Sequence, residues 1–176
     1  MQAKAQPALA KLATDADPRL RARAVWLLAA IKGNASATVT QALADQSDDL
    51  RAVGLRIARM YQLDVIPVVE KLAKDSSPLV RRECLIALRH NQSLKTTALW
   101  AQLAQAHDGK DRWYLEALGI GADNDWDACH AAWGRSFAGK APSNVAAMYD
   151  ISWRARGQVA PIELAELLRR NDVTAN

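Results

Sequence analysis

The feature that most constrains this chain is a refrain. PRLRARAVWLLA at residues 18–29 returns as DDLRAVGLRIAR at 48–59 and as PLVRRECLIALR at 78–89, thirty residues apart each time, with an aspartate three residues before each copy. A period of that length marks an array of supersecondary units, because one such unit cannot bury its apolar face alone and must stack on its neighbours. Spacing inside the copies decides between helix and strand. Leu20, Ala24, Val25 and Leu28 fall at i, i+4, i+5 and i+8, one stripe of a helix rather than the alternation of a strand. Leu9, Val39, Val69 and Leu99 align in a first helix; Val25, Leu55, Leu85 and Leu115 align in a second, with Leu28, Ala58, Leu88 and Leu118 one turn on. The sequence therefore predicts an all-α chain, an α-solenoid (α–α superhelix) of about five helical hairpins. Their expected limits are residues 5–33, 35–62, 64–91, 94–121 and 123–155, followed by a terminal helix over 160–171, all within one domain spanning 1–176. With 50% hydrophobic residues the chain has the material for a core, and no apolar run approaches the ~18 residues of a membrane span.

Turn chemistry agrees. Asp17-Pro18 and Ser77-Pro78 place a capping side chain before a proline at the first helical position, and Asp48 or Asp49 is expected to cap the middle copy. Asp15 with Arg21, Asp45 with Arg51 and Asp75 with Arg81 recur six residues apart across the turn. A carboxylate there can accept backbone N–H bonds and meet an arginine of its own or the adjacent copy, forming a structural ladder. In the fourth copy Gln105 stands for the Asp and Asp111 for the Arg, which breaks or inverts that ladder. The fifth unit is read as Trp126 to Phe137 and Asn144 to Trp153, with Val145 and Met148 continuing the register of Leu115 and Leu118.

The remaining motifs favour bland readings. Gly119-Ile120-Gly121 ends a helix where a dinucleotide fingerprint must open one, so it reads as a helix stop. Asp123, Asp125 and Asp127 imitate the first ligands of a calcium loop, yet Ala128 and Gly134 occupy the places of its glycine and bidentate glutamate. First-turn carboxylates favoured by the helix dipole explain them more simply. Cys84 and Cys129 lie far apart, and Cys129 and His130, being adjacent on a helix, point about 100 degrees apart and do not converge. His90 and His107 complete no triad. No catalytic, cofactor-binding or metal-ligating residue is assigned, and no cofactor.

Two surface features remain open. Trp26, Trp100, Trp126, Trp133 and Trp153 read as core, whereas Trp113 corresponds to Arg23, Val53 and Glu83, off the apolar stripe. The second helices are arginine-rich, and Arg23, Arg56, Arg59 and Arg82 with Trp113 are candidate groove contacts. A net charge of +4 permits an acidic partner without demanding one.

Paired helices with Asp at the inter-helix turn and Arg six residues later resemble the HEAT-repeat family, over residues 5–91 and more loosely beyond. The phrase KDRWYLEALGIGADNDWDA, residues 110–128, is similar to the HEAT region of large membrane-bound dehydrogenases of the haem-binding type. That resemblance implies a β-propeller before these repeats and a c-type cytochrome module after them. Neither the propeller's cofactor residues nor a CxxCH occurs here. A non-catalytic spacer or protein-interaction module is the implied role, with other domains of the same polypeptide or a partner protein as its contacts. The parent would be periplasmic or exported, and the lack of polar capping units suits an excised segment. The alternatives are a nucleic-acid-binding HEAT-like protein using its basic concave face, and a base-excision glycosylase built on Asp111 with Trp113.

Overall fold

The computed structural model describes residues 2–137 and 144–169. Part of the fifth sequence unit, 138–143, and the end of the expected terminal helix, 170–171, lie outside the described residues. All regular structure within them is helical: α1 (Gln2–Leu12), α2 (Pro18–Ala29), α3 (Ala35–Ala42), α4 (Asp48–Met60), α5 (Ile66–Leu72), α6 (Pro78–Leu88), α7 (Thr96–Ala104), α8 (Arg112–Gly121), α9 (Trp126–Ser136), α10 (Val145–Arg154) and α11 (Ala160–Arg169). Among the described residues no helix is long and apolar enough to cross a membrane. The chain divides into two compact units, Met1–Ala87 and Leu88–Asn176.

In the first unit α1 packs on α2, α3 on α4, and α2 on both α3 and α4. Val25 and Leu28 of α2, Val39 of α3, Leu55 and Ala58 of α4, Val69 of α5 and Leu85 of α6 are all buried, so the predicted stripes do face a core. Each fully buried Leu or Val contributes roughly 1.5–3 kcal/mol by leaving water. In the second unit α7 packs on α8 and α9, α8 on α10, and α10 on α11. Here Leu99 and Leu118 are buried and Leu115 is half-buried. The expected register fails in α10: Val145 is exposed and Met148 half-buried, while Ala147 and Ile151 are buried. The insertion that lengthens this unit shifts the apolar stripe, and strict thirty-residue alignment then names the wrong face.

Helix starts follow local chemistry, with one correction. Asp17 is extended and its carboxylate accepts the N–H of Arg19 at 2.8 Å, with Pro18 opening α2. The cap position of α4 is Ser47, which makes no side-chain cap bond, and Asp48 and Asp49 lie inside the first turn. They act on the positive end of the helix dipole rather than as caps. Asp48 also accepts the Ser77 hydroxyl at 2.7 Å.

The end of α4 is a Schellman turn: Gln62 N–H donates to Arg59 O at 3.1 Å and Leu63 N–H to Ala58 O at 2.9 Å. Gln62 is exposed and held at φ 54°, a conformation that glycine adopts without a Cβ penalty. Gln62→Gly is expected to raise stability by about 0.5 kcal/mol, the relieved strain exceeding the added unfolded-chain entropy. A urea titration reads it, and an unchanged or lower midpoint contradicts it.

Candidate functional site

The repeated Asp and Arg residues of the first unit converge at its turns. Asp15, Asp45 and Asp75 each accept the backbone N–H two residues on, from Asp17 at 2.9 Å, Ser47 at 2.8 Å and Ser77 at 2.9 Å. Each arginine reaches back to its own turn: Nη1 of Arg21, Arg51 and Arg81 donates to the carbonyls of Asp15, Asp45 and Asp75 at 3.1, 3.0 and 2.6 Å. Arg21 and Arg51 also reach forward. Arg21 Nη2 meets Asp45 at 3.3 Å, and Arg51 holds both oxygens of Asp75, Nε at 2.7 Å and Nη2 at 2.9 Å. The Arg51 guanidinium, with burial opposing it, holds the Asp75 carboxyl below its ordinary value, and Asp75 in turn raises Arg51. Planar two-point bonding of this kind fixes geometry as well as charge.

The candidate groove arginines are less available than a count of basic residues implies. Arg56 donates through Nε and Nη2 to one oxygen of Glu83, at 2.9 and 2.6 Å, and Arg59 lies 3.5 Å from the other. Glu83 is buried, as is Val53, so the register position shared with Trp113 is not off the core throughout. Only Arg23 and Trp113 are exposed there, Trp113 at 72%. Arg82 is half-buried. Asp111, paired with Trp113 in the glycosylase reading, spends its carboxylate on the Tyr114 N–H at 3.1 Å as the cap of α8.

The acidic run 123–127 does not form one site. Asp123 accepts from Arg89 and His90 at 2.8 and 2.9 Å, whereas Asp127 accepts the N–H groups of Gln158 and Val159 at 3.1 and 3.3 Å. Asp125 holds the cap position of α9 without a side-chain cap bond, so only Asp127 is a first-turn carboxylate. Among the described residues no group of three or more His, Cys, Asp or Glu side chains could hold a metal ion. Both cysteines are buried, and desolvation pushes each thiol up to about 12. A thiol so disfavoured as thiolate is a poor nucleophile.

Gly119 and Gly121 lie within the last turn of α8, which ends at Gly121, as the reading of this motif as a helix end has it. A Cβ on Gly119 would run into the Arg154 guanidinium, which bonds Glu116 at 3.1 Å and lies 5.9 Å over the Trp126 ring. Trp100, Trp126 and Trp133 are buried as expected, but Trp153 is 70% exposed because it falls off the shifted stripe of α10.

Several pairings had no local signal in the sequence. His107 is buried against Tyr114, its ring stacked at 5.8 Å, with Nε2 3.0 Å from Asp150. His130 Nδ1 lies 3.2 Å from Glu163. Their partners sit 43 and 33 residues away, beyond any motif spacing. Two of the cavities that open in the second unit carry polar or aromatic walls of interest. One, about 380 Å³, is polar, and Asn91, Ser93, Thr96 and Asp123 are among its walls. The other, about 390 Å³, lies between α9, α10 and α11 and carries Trp133, Phe137 and Met148.

Compared with protein-family models, curated proteins and solved structures, the chain matches none.

Proposed function

We propose that the chain is a HEAT-like α-solenoid segment that spaces or docks other protein modules and performs no chemistry of its own. The observation that carries this reading is the two-point bond from Arg51 to Asp75, echoed by Arg21 to Asp45. Each spans 24 residues, so the arginine of one copy takes the carboxylate of the next. Such bonds tie one sequence copy to the next within Met1–Ala87 and offer a substrate nothing. Contacts of α2 with α4, and of α8 with α10, support stacking of second helices inside each compact unit. The spacer role in a haem-binding-type dehydrogenase rests on the resemblance of residues 110–128.

The native reading frame on both sides of this segment tests the proposal. A propeller upstream and a CxxCH downstream are expected; stop codons at both ends overturn the spacer role and leave a free-standing solenoid. Engagement of Arg56 and Arg59 by Glu83 favours the scaffold over a nucleic-acid reader. Binding to duplex DNA is accordingly expected to be absent at physiological salt. Tight binding that falls steeply with salt, and that is lost on joint replacement of Arg56, Arg59 and Arg82, would favour the rival.

A further inference from the structure

The cavity between α9, α10 and α11 combines features that the scaffold reading leaves unused. Trp133 and Phe137 meet edge to face at 5.2 Å, and Met148 and Leu167 extend the apolar wall. Glu163 and Glu166 bring two carboxylates to the same lining from one face of α11. Neither forms an ion pair with a Lys or Arg among the described residues; Glu163 meets only His130. Three buried polar atoms here lack any hydrogen-bond partner: Trp133 Nε1, His130 Nε2 and Glu163 Oε2. Native proteins rarely leave such atoms unpaired without a reason. Gly134 adds an independent sign. It sits in the last turn of α9 and lines the cavity, and a Cβ there would meet nothing within 4 Å. A helix is destabilised by glycine, so the space above it is unfilled at some cost.

We propose that this cavity binds an organic ammonium ion, its alkyl part against Trp133, Phe137, Met148 and Leu167 and its charged end at Glu163 and Glu166. Aromatic faces and carboxylates both attract a cation, and apolar walls favour one that carries carbon. An anion would meet two carboxylates and no Lys or Arg in the lining. A primary or secondary ammonium fits better than a quaternary one, because its N–H groups can donate to the carboxylates that line the cavity. This inference is independent of the spacer role: either can fail alone.

The test is a titration of the full chain with n-butylammonium, followed by the indole N–H signals of the six tryptophans, Trp133 being assigned from Trp133→Phe. A saturable shift of the Trp133 signal is expected, with the exposed Trp113 and Trp153 signals unmoved. The neutral n-pentanol and the anion butyrate should produce none. Glu166→Gln, on an exposed side chain, should raise the dissociation constant about fivefold to tenfold. Gly134→Leu should abolish binding by filling the space. No saturable shift, an equal response to n-pentanol, or unchanged affinity in Glu166→Gln would overturn the proposal.

Discussion

Asp75→Ala is expected to lower the unfolding free energy by about 3 kcal/mol, seen as a reduced urea midpoint at unchanged slope. Two losses combine. Arg51, whose side chain is 14% exposed, keeps its charge but loses both bonds to a carboxylate that is 8% exposed. The Ser77 N–H at the start of α6 loses its acceptor as well. Asp45→Ala should cost only about 1 kcal/mol, because its pair is one longer contact in a wetter place. There the side chains are 19% and 25% exposed and 3.3 Å apart. Equal costs at the two rungs would mean that turn capping, not the arginine, is what these aspartates supply. Replacing Arg51 and Asp75 together by methionine and leucine should recover most of the loss, since no buried charge is then left alone. The pH dependence follows from the sign of the shift. Asp75 is depressed in the folded protein below its ordinary 3.8, so its contribution is complete above that value and lost as pH falls through the folded value. The difference between wild type and Asp75→Ala should therefore be widest near neutrality and shrink below about pH 4.

How much of this was legible follows from how local each signal is. Helices and their buried faces were readable through residue 118, because apolar stripes and proline-marked starts repeat within a few residues of one another. A link between these Asp and Arg residues was readable only because three copies made the pair recur, and whether the arginine came from the same or the adjacent copy was left open. Where the copies diverge, legibility fails for a physical reason. One insertion moves the stripe of α10 from Val145 and Met148 to Ala147 and Ile151, and with it Trp153 from core to surface. Glu83 occupies a register position off the apolar stripe, yet it is buried beneath Arg56 and Arg59 of the preceding copy. The His130, Trp133 and Glu163 cluster depends on packing between α9 and α11, which no spacing in the chain encodes. Even the distinctive 110–128 phrase resolves into structural work: a cap at Asp111, buried Tyr114 and Trp126, and a glycine that admits Arg154.

Trp100→Ala should be the most damaging of the substitutions considered, at about 4 kcal/mol, because it empties the largest fully buried side chain of the core. Trp100 also links three helices of the second unit. From α7 its Nε1 donates to the Leu118 carbonyl of α8 at 2.9 Å, and its ring meets Trp126 of α9 edge to face at 5.9 Å. Trp100→Phe keeps most of the ring burial but removes that donor, and should cost about 1.5 kcal/mol. Trp113→Ala and Trp153→Ala, with rings 72% and 70% exposed, should each stay within about 0.5 kcal/mol of wild type. The contrast bears on function as well as stability. Tryptophans that folding does not need are free to serve recognition, whereas a large loss at Trp113 would place it in the core and remove it from any partner-facing surface.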